Sequence, residues 1–289
     1  DVYKRQLKDH ERALKSTTWP ITTIPPGTTD PYFNYTTLLI HADGANAANN
    51  TVFVDSSPNA FAITNTGKPY QGTFSPFSQP ATYWSNFINS STDYYKITGQ
   101  SLSALALTAS SDVTIECWIY GTTIVGSGVD IINKDGRSGT NYPDYALSIN
   151  SSGYINLFMG NSSGASGYNQ TITGSSNPAV NSRWNHVAAV RLSSRWYFYM
   201  NGVIQNSGGT AQTQATTATN NYLTIASQEA QGAQNIGSWY ISNLRVVIGD
   251  AIYTSNFTPP TQPLSATANT KLLLLQDNDL IDFTWSIHV

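Results

Sequence analysis

The chain has 289 residues, enough for one large domain with a sizeable core, and its formal net charge is −3. Charged residues make up only 11% of it, against roughly 25% in ordinary globular proteins, so Ser, Thr, Asn, Gln and Tyr must supply most of the polar surface. The lack of a basic excess argues against nucleic-acid binding, and no apolar run approaches the roughly 18 residues of a membrane span. A single cysteine excludes an internal disulfide framework.

Residues 1–35 are predicted to form a charged lead-in and a proline-rich linker before the folded domain. Residues 7–15 have weak helical character with charges of both signs, which is typical of a solvated segment. Residues 19–27 contain three prolines, and successive prolines disfavour both helices and sheet ladders. The sequence does not begin with Met, and we expect it to be a piece of a longer protein.

From residue 36 to residue 264 the sequence predicts strands and turns without a convincing helix. Short apolar or alternating runs recur, separated by turn clusters such as Asn150-Ser-Ser-Gly153. This spacing is typical of an all-β sandwich, in which two antiparallel sheets each bury one face. The side chains predicted to be buried are Ile115, Cys117, Ile119, Leu147, Ile149, Leu157, Val187, Phe198, Ile225 and Leu244.

Two segments carry the clearest local patterns. In the strand predicted at 113–120 the odd-numbered residues are apolar, so alternation directs them to the core and directs Glu116 to the opposite face. Farther along, Asn201-Gly202 lies between an aromatic run and Val203-Ile204. Asn-Gly supplies the two positive φ angles of a type I′ turn, so the sequence predicts a hairpin there.

Several segments resemble successive parts of a laminin-G-like, concanavalin A-like lectin domain, a two-sheet antiparallel jelly roll. They are, in chain order, 38–44 with 54–59, 112–120, 184–204, 238–247 and a closing tail at 251–260. The tail, Phe74-Ser-Pro-Phe-Ser-Gln79 and 84–87 are similar to versions found in tandem arrays in tailed-phage virion proteins. The resemblance implies a non-enzymatic carbohydrate-binding module at 36–264 of a tail-fibre or virion decoration protein, with a virion or extracellular location.

Two other functions stay open at this point. Retaining glucanases of the same architecture carry two carboxylates on one strand, roughly 5–5.5 Å apart. The comparable strand here has Glu116 alone, with Thr114 and Trp118 two residues away on either side. The sequence therefore predicts no catalytic residue and disfavours a hydrolase. The other alternative is a purely structural spacer in a tandem array, whose loops contact neighbouring subunits.

Aromatic and polar side chains on predicted loops are the candidates for carbohydrate contact. Exposed rings can stack on sugar rings, while amides and carboxylates bond to hydroxyl groups. The candidates are Tyr83, Tyr142, Asp144, Tyr168 and Trp239. The alternative for each ring is partly buried packing. We expect the partner to be a host-surface glycan or a neighbouring virion subunit.

Calcium is the one cofactor that the resemblance implies. Related modules hold Ca²⁺ with an Asp of the opening strand, an Asn of the next loop and an acid in the final strand. The corresponding residues here are Asp43 and Asn59, but Ser242 stands where the acid would be, and fewer charged oxygen ligands weaken Ca²⁺ binding. The alternative is that Asp43 and Asp55 cap turns through the backbone.

The C-terminal residues 265–289 are predicted to be a linker and the truncated start of a second repeat. Residues 270–278 align with 36–44, and Ile281-Asp282 aligns with Val54-Asp55. A truncated module cannot bury its own apolar face, so we expect residues 271–289, with the leucines at 272–275, to be poorly packed or pressed against the first domain. The alternative is that this segment forms a genuine last strand of the first domain.

Overall fold

The computed structural model describes residues 35–40, 51–77, 84–90, 92–108, 110–124, 128–134, 144–160, 170–174, 182–212, 222–227 and 237–274. These residues form two β-sheets that enclose one hydrophobic core, which confirms the predicted all-β sandwich. Within these ranges, no helix is both long enough and apolar enough to span a bilayer.

The chain passes several times between the two sheets, in runs of one to four strands. In order they are β1 (Leu38–Ile40), β2 (Ala62–Thr66), β3 (Tyr70–Gly72), β4 (Ser85–Ile88), β5 (Tyr94–Thr98), β6 (Val113–Ile124), β7 (Val129–Lys134), β8 (Tyr145–Ile149), β9 (Ile155–Met159), β10 (Gln170–Thr173), β11 (Trp184–Leu192), β12 (Arg195–Met200), β13 (Val203–Ile204), β14 (Thr210–Ala211), β15 (Tyr222–Ile225), β16 (Gly237–Ile248) and β17 (Thr270–Leu274). A short 3₁₀ helix, Gln100–Leu105, follows β5.

Within the described residues, sheet A has ten strands and sheet B has seven. In sheet A the order is β1-β17-β16-β6-β11-β12-β13, with β4 beside β16, β3 beside β4 and β14 beside β12. In sheet B the order is β10-β9-β8-β7-β15-β5-β2. Each sheet therefore has one face toward the shared core and one outer face, and the outer faces are where a site can lie.

The core lies where strand alternation predicts it. Each of the ten side chains predicted to be buried is at most 1% exposed. Val113, Ile115, Cys117 and Ile119 of β6 point into the core, and Cys117 among them is fully buried, which raises the pKa of its thiol. A charged residue placed in this core would lower the free energy of unfolding by several kcal/mol, so these positions require apolar side chains.

The Asn-Gly hairpin is confirmed. Asn201 and Gly202 have φ angles of 52° and 76°, as a type I′ turn requires, and the turn connects β12 to β13. Gly202 is needed for a second reason, because a Cβ at this position would lie 1.8 Å from the carbonyl oxygen of Phe257. The turn thereby fixes the segment that follows β16 against sheet A.

A bulge in β16 decides which of its side chains reach the core. Asn243 has a φ of 53°, and the pairing with β6 shifts between Ser242 and Arg245. The extra residue reverses the alternation after it. Leu244 therefore enters the core, and Arg245 lies opposite Glu116 on the outer face.

Asp55 organises the opening loop and the edge of sheet A. Its Oδ1 accepts hydrogen bonds from the backbone N–H groups of Leu39 at 3.0 Å and Ser57 at 2.9 Å. Its Oδ2 accepts one from the N–H of Phe61 at 2.8 Å. Asp55 therefore caps this turn as the sequence alternative proposed, and it occupies a donor of the edge strand β1 that could otherwise pair with another chain.

The interpretation of residues 265–289 as a separate repeat is wrong for β17. This strand lies between β1 and β16 in sheet A, and Leu272, Leu273 and Leu274 are at most 1% exposed. Its parallel register places Leu38 opposite Leu272, which is the same offset that aligns 36–44 with 270–278 in sequence. The similarity therefore reflects two neighbouring strands with matching burial. Residues 275–289 lie outside the described ranges.

Candidate functional site

Glu116, the lone acid on the outer face of β6, lies in a buried polar cluster. Its Oε1 accepts a hydrogen bond from Nε of Arg245 at 2.9 Å. Its Oε2 lies 3.1 Å from Nε2 of His186 and accepts a hydrogen bond from the hydroxyl of Tyr253 at 2.7 Å. The side chain of Glu116 is fully buried, so it is a hydrogen-bonded face residue that solvent does not reach.

The charge state of Glu116 follows from these contacts. Burial alone raises its pKa, but the positive charge of Arg245 and the hydrogen bonds from His186 and Tyr253 hold the pKa at about 2. A glycosidase acid needs a raised pKa and access to the glycosidic oxygen. Glu116 has neither property and stabilises the structure instead.

The segment after β16 covers this part of sheet A. The rings of Tyr253 and Phe257 stack with centroids 3.6 Å apart, and both pack on an apolar cluster of Ala188, Val190 and Tyr199. The N–H of Phe257 donates to the carbonyl of Gly202 at 2.9 Å. The closing tail therefore forms an additional layer over the sheet.

An aromatic row crosses the other end of the same outer face. Strand pairing places its members directly opposite one another on β3, β4, β16, β6 and β11. They are Tyr70, Phe87, Tyr240, Tyr120 and Trp184, and all are half-buried. Phe74 lies over the row, with its centroid 4.7 Å from that of Tyr240 and 4.9 Å from that of Tyr120, and it is 43% exposed.

The outer face of sheet B is polar along its middle strands. One row of opposed residues runs across β7, β8 and β9 from Asp130 to Asn156. The adjacent row runs from Thr224 on β15 to Phe158 on β9, with Ala146 in its path. We call this surface the amide face, and its members are Asp130, Asn133, Ser148, Asn156, Phe158 and Thr224.

Asn133, at the centre of the amide face, is an amide whose side chain forms no hydrogen bond. It is fully buried, and neither its Nδ2 nor its Oδ1 has a hydrogen-bond partner. Other buried amides with one unpaired atom form a hydrogen bond through their second polar atom. Asn86 accepts one from the hydroxyl of Tyr95, and Gln205 donates one to the carbonyl of Val203. Leaving a buried amide unpaired costs about 1–3 kcal/mol, and such groups are ordinarily met by water or a ligand.

The amide face becomes more accessible away from its centre. The exposed fraction rises from 0% at Asn133 to 6% at Ser148 and 9% at Asn156, and the ring of Phe158 is half-buried. The Oδ1 atom of Asn156 also lacks a partner. Amides with unused donors and acceptors beside an aromatic ring are the set that binds sugar hydroxyls and a sugar face.

Of the five predicted carbohydrate contacts, the structure describes Asp144 and Trp239. Tyr83, Tyr142 and Tyr168 lie outside the described ranges. Trp239 is on strand β16 rather than on a loop and is fully buried, so the prediction that it offers an exposed ring is wrong. Asp144 is 1% exposed, and its Oδ2 accepts a hydrogen bond from the N–H of Leu107 at 3.0 Å.

The predicted calcium pair is described only in part, because Asp43 lies outside the described ranges. Asn59 is exposed, and its Nδ2 donates to the carbonyl of Thr37 at 2.9 Å, so its Oδ1 is the atom that would face an ion. In the final strand, Ser242 donates to the carbonyl of Trp84 at 2.6 Å. Within the described residues, no three His, Cys, Asp or Glu side chains are grouped as a metal site needs.

Sequence reasoning missed the amide face because a bulge interrupts β7. The pairing of β7 with β8 shifts between Asp130 and Ile132, so Asp130 and Asn133, three residues apart, lie on the same face. Strict alternation places residues three apart on opposite faces. The available indication was that each of the strands β7, β8 and β9 carries a polar residue within an otherwise apolar run.

A family model for the Concanavalin A-like lectin/glucanases superfamily matches residues 89–246. Among solved structures, the chain is similar to the receptor binding domain of botulinum neurotoxin C/D mosaic serotype (14% identity, TM-score 0.48, 78% of this chain and 49% of that chain covered). It is also similar to the binding domain of botulinum neurotoxin DC in complex with SialylT, with 14% identity and a TM-score of 0.46, and to the same domain in complex with rat synaptotagmin II, with 13% identity and a TM-score of 0.48. Each of these two matches covers 78% of this chain and 49% of the other chain. The chain spans about half the length of these structures. No curated protein matches the sequence.

Proposed function

Because the chain belongs to the Concanavalin A-like lectin/glucanases superfamily, we propose that it is a non-enzymatic carbohydrate-binding module whose glycan lies on the amide face of sheet B. The observation that carries the proposal is Asn156, an amide of the more accessible part of this face that is 9% exposed and whose Oδ1 has no hydrogen-bond partner. A sugar hydroxyl donates and accepts at once, so one hydroxyl group can satisfy both atoms of an amide.

The surroundings of Asn156 support a sugar ligand over a single ion. Ser148 adds a hydroxyl group directly opposite it on β8, and Phe158 adds a ring two residues farther along β9. Sugar sites combine a few polar groups of this kind with an aromatic surface.

A hydrolase is the disfavoured alternative. Asp130, a member of the amide face on β7, and Asp144, the residue that precedes β8, are the described acids to consider. Asp144 lies beside Lys134, whose carbonyl accepts its N–H at 3.0 Å, and Asp130 is four residues farther along the strand, about 13 Å away. Retaining enzymes need roughly 5–5.5 Å and inverting enzymes roughly 6.5–9.5 Å between the two carboxyl groups. The described acids on this face therefore lie too far apart to act as a pair.

A structural spacer in a tandem array is the second candidate function. The observation that favours it is Phe74, a large apolar side chain that is 43% exposed above the aromatic row of sheet A. In a spacer this ring would contact a neighbouring subunit. Phe74→Ser would then weaken association between copies without changing glycan binding, whereas in a lectin Asn156→Leu would weaken glycan binding without changing association.

The biological setting that we propose is a phage tail fibre or virion decoration protein, outside the cell, that contacts a host-surface glycan or a neighbouring virion subunit. Its support is the sequence of the tail at 251–260 and of the motif at 74–79, which resemble tandem modules of virion proteins. Binding of labelled protein to intact bacterial cells, and its loss after enzymatic removal of surface polysaccharide, tests this setting.

A calcium ion at Asp43 and Asn59 stays part of the proposal on the strength of the sequence motif. Asn59 contributes one amide oxygen close to β1, but Asp55 is saturated by hydrogen bonds to Leu39, Ser57 and Phe61. Ca²⁺ takes six to eight oxygen ligands. Any ion there would depend on Asp43, backbone carbonyls and water, and would stabilise the opening loop rather than contact the glycan.

Asn156→Leu is the variant that tests the glycan site. Leucine has a similar shape and no polar atoms, so the folded protein should be about as stable as the wild type, because the unpaired Oδ1 is removed. Binding in a glycan array should fall about tenfold or more, since the hydrogen bonds of this amide to the sugar are lost. Thr254→Val, at an exposed residue of the tail over sheet A, is the matched control. Full binding by Asn156→Leu would contradict the proposal.

A further inference from the structure

The amide face opens to solvent at β10, which is the edge strand of the described part of sheet B. Strand pairing places Thr173 opposite Asn156, and two residues earlier Thr171 lies opposite Phe158. Asn156 is 9% exposed, Phe158 is half-buried, and both threonines are exposed. We call these four residues the open block. A ligand reaches them from solvent without contact with the buried centre of the face.

The open block combines hydrogen-bonding groups with an aromatic ring. Strand spacing places the backbone of Thr173 about 5 Å from that of Asn156, and the backbone of Phe158 about 7 Å along β9. The Oδ1 atom of Asn156 accepts no hydrogen bond, so a sugar hydroxyl group can donate to it. A sugar ring on this block therefore meets amide and hydroxyl groups along one side and an aromatic side chain along the other.

The strands at this end of the face come from the longest uncharged stretch of the sequence. Residues 145–182 contain no Asp, Glu, Lys, Arg or His, although 11% of the whole chain is charged. The stretch includes β8, β9 and β10 and the segments that connect them along the chain. A ligand therefore meets an uncharged group at every residue of this stretch that it contacts.

The charged residues that continue the two rows add no attraction for an anion at the open block. Asp130 on β7 lies in the row of Asn156, two strands away, and is itself an acid. Lys96 on β5 lies in the row of Phe158, but four strand separations place their backbones about 19 Å apart. The Debye length at physiological ionic strength is about 8 Å, so a charge at that distance is largely screened.

We propose that the glycan bound on the amide face lies on the open block and is neutral, a hexose chain without carboxylate, sulfate or phosphate groups. This inference rests on the proposed function and names the class of its ligand. An anionic group would lose part of its hydration here without gaining an opposite charge. A neutral sugar exchanges its hydrogen bonds to water for hydrogen bonds to amide and hydroxyl groups, at little cost.

The experiment probes an array that contains neutral glucans, mannans and galactans beside uronate, sulfated and sialylated glycans. The full chain is applied at low and at physiological salt. We expect the bound members to be neutral, with a signal that changes little with salt. The neutral member that binds best is then compared by calorimetry with its uronate form, in which the C6 hydroxymethyl group is a carboxylate. The uronate form should bind about tenfold or more weakly.

A cation added to the open block tests the effect of charge directly. Thr173→Lys should tighten binding of the uronate form about threefold or more at low salt, because an ammonium group then lies one strand from Asn156. Thr173→Gln, with a side chain of similar size and no charge, should keep the preference for the neutral form. Thr254→Lys, at an exposed residue of the tail over sheet A, is the control for net charge. Thermal melts of each variant show whether the fold is intact.

Three results would overturn the inference in different ways. If anionic glycans bind as well as neutral ones or better, and Asn156→Leu abolishes their binding, the glycan site stands and the preference for a neutral ligand is wrong. If Thr173→Lys and Thr173→Gln bind the uronate form equally, the ligand does not lie on the open block. If no glycan binds, or if Asn156→Leu has no effect, the proposed function fails and the inference fails with it.

Discussion

Glu116 and Arg245 form a buried ion pair whose two partners come from adjacent strands of sheet A. The carboxylate is fully buried, Arg245 is 6% exposed, and Nε of Arg245 lies 2.9 Å from Oε1 of Glu116. The pair exists because the bulge at Asn243 brings Arg245 to the outer face. Buried pairs contribute little over an apolar replacement, but breaking one leaves an uncompensated charge.

The first prediction concerns the acid stability that this pair confers. The pKa of Glu116 is lowered from 4.5 to about 2 in the folded protein. Stability from the ionised carboxylate is therefore complete above about pH 4.5 and is lost as the pH falls toward 2, by about 3 kcal/mol in all. Urea unfolding between pH 2 and pH 6 should show this loss in the wild type.

Glu116→Gln is the control for that measurement. It should be about 3–5 kcal/mol less stable than the wild type at neutral pH, because Arg245 stays buried without its partner. Its stability should change less between pH 4.5 and pH 2. Parallel pH profiles for the two proteins would show that Glu116 is not the group responsible.

The second prediction separates two requirements for glycine at position 202. Gly202→Ala should destabilise the protein through the positive φ of 76° and through the approach of the Phe257 carbonyl, which lies 1.8 Å from the position of a Cβ. Gly208→Ala is the matched control, since Gly208 has a φ of 85° with nothing within 4 Å of its Cβ position. The left-handed backbone alone costs about 1–2 kcal/mol.

Unfolding free energies of both variants should therefore differ, with Gly202→Ala the less stable. Limited proteolysis should also cut the tail at 251–260 faster in Gly202→Ala alone. Equal losses of stability in the two variants would mean that the tail moves aside freely and that its contact with the turn is weak.

The third prediction follows from the position of β17. Removing residues 270–289 should leave β1 and β16 without the strand that pairs with both, and the truncated chain should lose several kcal/mol or fail to fold. Leu272→Ala, a milder change in the core, should cost about 2–5 kcal/mol. Lys271→Ala, at a half-buried neighbour, should stay within about 0.5 kcal/mol of the wild type. An unchanged melting temperature after truncation would contradict the strand assignment.

The fourth prediction tests the calcium proposal. If Asp43 and Asn59 bind Ca²⁺, millimolar calcium should raise the melting temperature relative to EDTA, because the ion binds the folded form alone. Asp43→Ala should abolish the increase, and Mg²⁺ should produce less of it, since Mg²⁺ requires a more regular six-ligand shell. A melting temperature that is the same in calcium and in EDTA removes the ion from the proposal.

The predictable parts of the fold depend on neighbours in sequence. The Asn201-Gly202 turn follows from the backbone preferences of two residues, and the inward face of β6 follows from uninterrupted alternation. Both are confirmed. A family resemblance added the order of the strands and the presence of a tail, but not the surface that the tail covers.

The parts that sequence reasoning missed depend on long-range pairing. A bulge changes which residues share a face, and nothing in Val129–Lys134 or around Asn243 marks its position in advance. The strand β17 pairs in parallel with β1, from more than two hundred residues away. Its likeness to β1 was compatible with a second repeat as well as with a neighbouring strand. The amide face depends on the bulge in β7 and could not be predicted without it.

The burial of Cys117 makes the chain behave as a cysteine-free protein toward alkylating reagents. It is the single cysteine of the sequence, and its raised thiol pKa leaves almost no thiolate to react. A cysteine introduced at exposed Thr171, on the outer face of β10 beside Phe158, would therefore be the one position that accepts a fluorophore. Such a probe would report glycan binding at the amide face directly, without removal of the native thiol.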